Sequence, residues 1–242
     1  MSTLYIVGIG PGDRDSLTLR ADRVLRRCPA IVGYTVYVDL VRQWYPEKEL
    51  LSTPMTREAE RVRLALDKAK TQDTALVCSG DSGVYGLAAL AYELRGDEDA
   101  PALEIVPGLT AALSGASLLG APLTHDFAVV SLSDRLTDWE TIARRLDCAA
   151  AADLGLVLYN PASRGRPDHL RRACDILLKR LPPDRLCGVV RSVGRPGESR
   201  ELLTLSELRD YPADMFCTMF VGNGQTRRVG DAMVTPRGYR DV

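Results

Sequence analysis

The chain of 242 residues contains no run of about 18 uncharged apolar residues, the shortest length that spans a membrane as a helix. The stretch Met1 to Gly10 also lacks the basic flank and the small-residue cleavage site of a secretory signal peptide. We therefore expect a soluble, cytoplasmic protein with no membrane partner.

Metal-binding and disulfide patterns are equally scarce. Only two histidines are present, and the six cysteines are scattered without a Cys-x-x-Cys pair. A zinc site or a disulfide framework needs closely spaced ligands or paired cysteines. The sequence therefore predicts no metal site, and the cysteines are interpreted as reduced, mostly buried small apolar residues.

Neither sign of charge is in excess, because 31 lysines and arginines are balanced by 32 aspartates and glutamates. A surface that attracts nucleic acid through its net charge is therefore not predicted. Hydrophobic residues make up 45% of the chain and charged residues 26%, which excludes the disordered and fibrous classes. A chain of this length has room for one large domain or two small ones.

Short apolar strands alternate with amphipathic helices in the first half of the chain. This alternation is typical of a mainly parallel sheet that is covered on both faces. Strands are predicted at Thr3 to Ile9, Thr74 to Cys78 and Glu104 to Val106, and helices at Ser16 to Arg27, Thr56 to Lys70, Val84 to Leu94 and Thr110 to Leu119.

Gly120-Ala121-Pro122 interrupts this pattern, so we predict a first domain at residues 1–120 and a second at 121–242. The second series has few helices between its last strands, which favours hairpins in a mixed sheet. The sequence thus predicts an α/β fold with two different α/β domains and a ligand cleft between them. The predicted elements are strands at Phe127 to Leu132, Leu154 to Tyr159, Gly188 to Val193, Arg200 to Leu205 and Cys217 to Val221, a helix at Asp168 to Arg180, and another opened by a capping box at Thr137 to Glu140.

Five loops rich in glycine or proline follow predicted strands, where open α/β sheets bind their ligands. Glycine lets backbone groups approach a ligand closely, and Asp81 adds a carboxylate that accepts hydrogen bonds from hydroxyl or amino groups. Strand-to-helix turns need glycine as well, but five such loops together favour a nucleotide-like ligand. The loops are Gly8 to Asp13, Ser79 to Gly86, Val106 to Thr110, Tyr159 to Pro161 and Val221 to Thr226.

The first of these loops does not fit a phosphate site. A Gly-x-Gly-x-x-Gly pattern would need glycine where this chain has Asp13, and Pro11 lacks an N–H group that pyrophosphate binding would use. The chain has no Gly-Lys-Ser/Thr either. A ligand without phosphate groups therefore fits better than NAD or ATP, and an NAD(P)-dependent reductase is a disfavoured alternative.

The loops and their flanks resemble the tetrapyrrole methylase family of S-adenosylmethionine-dependent enzymes over the whole chain. Longer strings are similar, within that family, to the precorrin-3B C(17)-methyltransferases of cobalamin biosynthesis. The enzymes that act on the cobalt-containing counterpart and other precorrin methylases, such as those for C(11), are the alternatives. The family also resembles some RNA methyltransferases, which the charge balance disfavours. The family strings are Gly8 to Asp13 with Leu17 to Ala21, Ser79 to Asp81 and Val106 to Ala112; the longer ones are Met55 to Glu58, His125 to Asp134, Leu158 to Pro161, Val221 to Arg227 and Val234 to Tyr239.

The resemblance implies a two-domain methyltransferase, usually a homodimer, that binds folded S-adenosylmethionine in the interdomain trough. It implies methylation of precorrin-3B at C(17) and contraction of the macrocycle to precorrin-4, with a meso carbon extruded as an acetyl group. The family usually has proline where this chain has Arg14 and Ser82, which affects the shape of the first two loops. Transferred residue by residue, the cofactor contacts fall on Pro11, Gly80, Asp81, Val84, Thr110, Ala111, Asn160, Val193 and Gly222.

Methyl transfer from a sulfonium to a carbon needs alignment of the reactants and exclusion of water, so a catalytic triad is not required. Ring contraction needs a base, and His125 is the candidate that accepts the ring-hydroxyl proton, with Asp126 as the competing group. A hinge histidine that bonds to neighbouring backbone is the alternative interpretation of His125.

Arginines are suited to hold the substrate carboxylates, and Arg237 in its Pro-Arg-Gly turn is the favoured candidate. The second histidine, His169, is expected to be exposed. The tyrosines that follow strands either stack on the macrocycle or pack at strand ends. The further arginine candidates are Arg227 and Arg228, together with Arg164 and Arg166, for which a solvated surface is favoured; the tyrosines are Tyr85, Tyr159 and Tyr239.

Overall fold

The protein is described by a computed structural model that covers residues 2–96 and 100–240. Its residues group into two compact units, Met1–Thr110 and Ala111–Val242. Each unit combines helices with its own β-sheet, which confirms the predicted class of two different α/β domains. None of the helices in the described ranges is long and apolar enough to cross a bilayer.

The first unit is built on a five-stranded sheet with the order β3-β2-β4-β1-β5. Every pairing in this sheet is parallel, so the carboxyl ends of all five strands lie at one edge. Residues 30–53, for which the sequence pattern predicted no element, supply β2, α2 and β3. The elements are β1 Thr3–Gly8, α1 Leu19–Arg27, β2 Ala30–Tyr34, α2 Thr35–Arg42, β3 Glu49–Thr53, α3 Glu58–Lys68, β4 Thr74–Cys78, α4 Ala88–Leu94 and β5 Ala102–Val106.

Both faces of this sheet are buried, as the unbroken apolar strands predict. Side chains of β1 alternate between two clusters: Tyr5 and Val7 pack on one face, and Leu4 and Ile6 on the other. Each such side chain contributes about 1.5–3 kcal/mol when it is fully removed from water. Burial on both faces holds the strands, and therefore the loops at their carboxyl ends, in fixed positions.

Helix α4 is shorter than the sequence predicts, because it begins at Ala88 rather than at Val84. Tyr85 has a φ of 54°, which is incompatible with an α-helix, and Gly86 lies where a Cβ atom would be 2.3 Å from the carbonyl oxygen of Ser82. Residues 82–87 therefore form a series of bends that lengthens the loop after β4.

The second unit has a mixed sheet with the order β10-β9-β11-β8-β7, as predicted. Strand β7 pairs parallel with β8, whereas β11 is antiparallel to both β8 and β9, and β10 is antiparallel to β9. A small third sheet has the order β12-β13-β6. The elements are α5 Ala111–Leu119, β6 Gly120–Ala121, β7 Phe127–Ser131, α6 Trp139–Ala151, β8 Gly155–Tyr159, α7 His169–Leu177, β9 Leu186–Arg191, β10 Ser199–Thr204, α8 Leu205–Leu208, β11 Cys217–Val221, β12 Arg227–Val229 and β13 Ala232–Val234.

Helix α5 packs closely on the sheet of the second unit. A Cβ atom on Gly115 would lie 2.8 Å from a methyl group of Val190 and 2.9 Å from the ring of Phe220, so only glycine allows this approach. The predicted domain boundary after Gly120 assigned α5 to the first domain, whereas the compact units divide before this helix. Its small residues make the close packing possible.

Helix α6 begins one residue later than the predicted capping box requires. Asp138, rather than Thr137, is the N-cap, because its carboxylate accepts from the backbone N–H of Thr141 at 2.7 Å and from the hydroxyl of the same residue at 3.0 Å. An aspartate satisfies the first helical N–H groups with a charged acceptor and outcompetes the neighbouring threonine.

Candidate functional site

Three loops of the first unit converge at the carboxyl edge of the central strands β4, β1 and β5. Gly10 and Gly80 exchange two backbone hydrogen bonds of 3.0 and 2.8 Å, which join the loops after β1 and β4. A Cβ atom on Gly8 or on Gly108 would lie 2.7 or 2.2 Å from the carbonyl oxygen of Gly80. Glycine is therefore required here for the loops to pack on one another.

The carboxylate of Asp81 ties two of these loops together. Oδ1 accepts from the backbone N–H groups of Gly83 at 2.8 Å and Val84 at 3.1 Å, and Oδ2 accepts from Gly108 N–H at 2.9 Å. A carboxylate has about four acceptor positions, so three of them are occupied by the protein itself. Asp81 thus positions the loops, and Val84, another predicted cofactor contact, is held by it directly.

The serine that replaces a usual family proline, Ser82, is fully buried and bonded into the same edge. Its hydroxyl donates to the carbonyl of Val106 at 3.4 Å, and its own carbonyl accepts from Ala88 N–H at 3.1 Å. Arg14, the other replacement, is exposed, and its carbonyl accepts from Leu17 N–H at 3.1 Å in a turn. Hydrogen bonds therefore shape these loops where proline would restrict the backbone.

Two other residues that the family resemblance implies as cofactor contacts, Pro11 and Thr110, lie beside this edge. Pro11 directly follows Gly10 and is half-buried, and Thr110 is the half-buried last residue of the loop after β5. Thr18, which sequence reasoning missed, caps α1 by accepting from Ala21 N–H at 3.1 Å and donates to the carbonyl of Pro107 at 3.3 Å. Its position directly before the periodic helix was the signal that could have identified it.

The second unit collects polar residues at the carboxyl ends of β7, β8 and β9. Asn160 directly follows β8 with a φ of 54°, and its side-chain amide donates to the hydroxyl of Ser131 at the end of β7 at 2.9 Å. Val193 follows β9, after Ser192 with a φ of 50°. The structure therefore brings the loops of Asn160 and Val193 to the same edge of the second sheet.

Tyr159 holds the first turn of helix α5, where the predicted cofactor contact Ala111 is the first helical residue. The phenolic oxygen of Tyr159 accepts from the backbone N–H of Ala112 at 2.6 Å. An N–H group in the first helical turn has no partner within its own helix. Tyr159 therefore stabilises this helix end within the second unit.

Gly222 does not share an edge with Asn160 and Val193. Because β11 is antiparallel to its neighbours, its last residue, Val221, pairs with Leu156 and Cys187 near the beginnings of β8 and β9. The sequence identified the loop after β11 only as one of five that follow strands, and the direction of the strand decides at which edge of the sheet it lies. A Cβ atom on Gly222 would lie 2.5 Å from the side chain of Thr226, so a tight turn accounts for this glycine.

His125 and Arg237 are neighbours in the second unit, and both are exposed. Arg237 Nη1 donates to the carbonyl of Thr124 at 3.0 Å, directly before His125. Thr235 anchors the same region, since its N–H donates to Ala121 at 3.0 Å and its hydroxyl to Pro122 at 2.7 Å. The C-terminal Val-Thr-Pro-Arg string thus lies against the His125 segment.

The expectation that His169 is exposed is wrong. Only 7% of its surface is accessible, its Nε2 atom lies 3.0 Å from Asp134 Oδ2, and its ring meets that of Trp139 edge to face at 5.0 Å. The interaction with His169 lowers the pKa of Asp134 below its ordinary value. His169 is the first residue of α7, and the helix turns it toward the interior.

The remaining candidates are mostly on the surface. Within the described ranges, no group of three or more His, Cys, Asp and Glu side chains is arranged to hold a metal ion. Arg166 differs from its expected exposure, because it is half-buried and its Nε donates to Ser163 Oγ at 3.2 Å. The exposed residues are Arg164, Arg227, Arg228, Asp126, Tyr85 and Tyr239.

The chain is an α/β protein with glycine-rich loops at the carboxyl ends of its strands, and these loops lack the residue spacing of a phosphate-binding site. Residues 3–209 match the family profile described as Tetrapyrrole (Corrin/Porphyrin) Methylases, so the chain belongs to this family. Family membership confirms the resemblance carried by the loop strings.

Individual relatives match the chain over nearly its full length. It is 42% identical to a probable cobalt-factor III C(17)-methyltransferase of Salmonella typhimurium, over 98% of this chain and 99% of that protein. It is 41% identical to the cobalamin biosynthesis protein CbiHC of Archaeoglobus fulgidus, over 98% of this chain but only 52% of that longer protein. Among solved structures, the methyltransferase CobJ is similar with a TM-score of 0.89 and 35% identity, over 98% of this chain and 100% of that one.

Proposed function

We propose that this protein transfers a methyl group from S-adenosylmethionine to C(17) of a corrin precursor in cobalamin biosynthesis. The observation that carries the proposal is the end-to-end similarity to the Salmonella protein named as a C(17)-methyltransferase. The name of that relative favours cobalt-factor III as the acceptor, and precorrin-3B, its metal-free counterpart, is the alternative. A homodimer remains a prediction for light scattering to test.

The loops of the first unit suit a ligand without phosphate groups. Between Gly8 and Asp13 and between Ser79 and Val84 the only charged side chains are Asp13 and Asp81, and backbone groups dominate the edge. When bound, S-adenosylmethionine supplies an electrophilic methyl group on a sulfonium sulfur. The residues that would hold it are Pro11, Gly80, Asp81, Val84 and Thr110, with Ala111, Asn160 and Val193 of the second unit as further candidates.

The contribution of the chain to methyl transfer is positioning. Loops joined by the Gly10–Gly80 hydrogen bonds and by the Asp81 carboxylate hold their backbone groups rigidly, so little ordering is needed when a ligand binds. Gly222 is not among the residues we propose for the cofactor, because it follows β11 at the opposite edge of its sheet from Asn160.

Calorimetry tests the cofactor. S-adenosylmethionine and S-adenosylhomocysteine should each bind once per chain, whereas NADPH should not bind. Binding of NADPH without binding of either S-adenosyl compound would overturn the assignment and favour a reductase.

Product mass tests the acceptor. The protein is incubated with S-adenosylmethionine and either cobalt-factor III or precorrin-3B, and we expect a methylated product from the cobalt-containing acceptor. Methylation of precorrin-3B alone would make the metal-free compound the substrate. If neither acceptor is methylated although the cofactor binds, the protein must catalyse another reaction of its family.

His125 is proposed as the base for ring contraction. The imidazole of His125 is exposed and can reach a bound substrate, and only contraction, not methyl transfer, removes a proton from oxygen. His125→Ala should bind the cofactor normally and accumulate a methylated, uncontracted product. Asp126→Asn is the matched comparison: normal contraction by His125→Ala and loss of contraction in Asp126→Asn would transfer the role to Asp126.

Arg237 is proposed to hold a substrate carboxylate. One of its five N–H donors goes to the Thr124 carbonyl, and within residues 2–96 and 100–240 no other acceptor is seen for this exposed guanidinium. Arg237→Ala should raise KM for the acceptor while the cofactor affinity stays constant. Arg144→Ala, which changes an exposed arginine on α6, is the control, and equal behaviour of the two variants would make Arg237 a surface residue.

A further inference from the structure

Arg61 is a buried cation that none of the predicted roles uses. It lies on α3, and only 4% of its surface is accessible. Its Nε donates to Thr53 Oγ1 at 2.9 Å, and its Nη2 donates to the carbonyl oxygens of Pro54 at 2.9 Å and Thr53 at 3.5 Å. All of these acceptors are neutral, and they belong to the last residue of β3 and the residue that follows it.

The positive charge of Arg61 lacks a counter-ion in the part of the chain that the structure describes. Other arginines, such as Arg180 with Asp147 at 2.8 Å, form ion pairs, but no carboxylate of the described residues lies within 4 Å of the Arg61 guanidinium. A guanidinium keeps its proton in proteins, so burial leaves a full charge to be compensated. The ring of Tyr34, 5.6 Å away, offsets only part of this charge.

The position of Arg61 connects it to the loop edge of the first unit. Strand β3 pairs with β2, and β2 pairs with β4, whose loop carries Gly80 and Asp81. Val62, the residue after Arg61 on α3, packs in one buried cluster with Cys78, the last residue of β4. Because the strands are parallel, the carboxyl end of β3 that Arg61 binds lies at the same edge of the sheet as the loop after β4.

We propose that Arg61 is the anchor of a carboxylate-binding site at the carboxyl edge of the first sheet. The ligand is a carboxylate of the tetrapyrrole acceptor, so this assignment rests on the proposed function. An incoming carboxylate supplies the missing negative charge through charge-assisted hydrogen bonds from the guanidinium. Arg61 also holds the chain directly before the Met55 to Glu58 string, through the carbonyl oxygen of Pro54.

The test separates charge from structure with three variants. Arg61→Gln keeps a donor for Thr53 and removes the charge; Arg61→Lys keeps the charge; and Arg57→Gln is the control, because the Arg57 side chain is 64% exposed and pairs with Glu60. Fluorescence titration measures the affinity for uroporphyrin III, a tetrapyrrole polycarboxylate. Calorimetry measures S-adenosylhomocysteine binding, and scanning calorimetry checks the fold.

We expect Arg61→Gln to weaken uroporphyrin binding by about 10- to 100-fold, as the loss of a charge-assisted hydrogen bond predicts, with Arg61→Lys weakened less and Arg57→Gln unchanged. S-adenosylhomocysteine affinity should stay constant in all three variants. If Arg61→Gln does not fold, Arg61→Lys decides: a loss of uroporphyrin affinity at an unchanged thermal midpoint supports the site, and an unchanged affinity opposes it.

Three results would overturn the site. The first is an unchanged uroporphyrin affinity in Arg61→Gln, and the second is an equal loss of affinity in Arg61→Gln and Arg61→Lys that follows their thermal midpoints. The third is no uroporphyrin binding by the wild type. Failure of the proposed function has a different signature. The wild type would then not methylate cobalt-factor III, while its uroporphyrin binding would still depend on Arg61.

Discussion

Asp81→Asn is the most direct perturbation of the loop edge. Asparagine keeps the size of the side chain but replaces one acceptor oxygen with a donor. If Oδ1 still serves Gly83 and Val84, the new NH₂ group faces Gly108 N–H, which now donates to Oδ2 at 2.9 Å. Loss of a hydrogen bond to a charged group costs about 1.5–3 kcal/mol. At about 2–4 °C per kcal/mol for a chain of this size, the thermal midpoint should fall by roughly 3–12 °C.

The same change should weaken the binding of S-adenosylhomocysteine by roughly 10- to 150-fold, because the same free energy orders the loops that hold it. Scanning calorimetry and titration calorimetry measure the two effects. Asp67→Asn is the control: its side chain is 78% exposed beside Lys70, so it should change stability by less than about 0.5 kcal/mol.

Two results would refute this reasoning. Weakened ligand binding at an unchanged thermal midpoint would mean that Asp81 acts on the ligand by direct contact alone and that its hydrogen bonds do not stabilise the loops. If neither quantity changed, the hydrogen bond to Gly108 would contribute nothing.

Further predictions concern packing, a helix end and the thiols. Gly108→Ala should cost more than about 3 kcal/mol or prevent folding, because its Cβ would lie 2.2 Å from Gly80 O, whereas Gly165→Ala, with no atom within 4 Å, should be neutral by thermal midpoint. Tyr159→Phe should lower stability by about 1–3 kcal/mol, since Ala112 N–H loses its acceptor, and an unchanged midpoint would contradict this role. A thiol reagent at pH 8 should label one cysteine rapidly, the exposed Cys148, and Cys148→Ser should abolish that phase. Burial raises the pKa of the other thiols, so their contribution to the free energy of unfolding is complete below pH 9, the usual thiol pKa, and declines as the pH rises toward 11 to 12. The urea midpoint should therefore be lower at pH 10 than at pH 8, and equal midpoints would contradict this prediction. The buried thiols are Cys28, Cys78, Cys174, Cys187 and Cys217.

Much of the fold followed from local sequence. The apolar run from Thr3 predicted β1, and Cys217–Val221 was predicted with the bounds that the structure has. Such elements are determined by periodicity and turn residues within a few positions of each other. The loop glycines of the first unit were identified in the same way, because they follow strands of an all-parallel sheet, where carboxyl ends meet at one edge.

The tertiary structure decided what depends on strand direction and on distant partners. The antiparallel course of β11 separates Gly222 from Asn160, and no pattern in the single strand carries that direction. His169 can be buried because its Nε2 atom lies beside the carboxylate of Asp134, in the loop after β7. Asp81 is engaged by Gly108 of a different loop, and Arg61 remains without a carboxylate because none of the described residues folded around it supplies one. The charge and size of a side chain can be read from the sequence. Its partners come from segments that are far apart in the chain, and only tertiary packing brings these segments together.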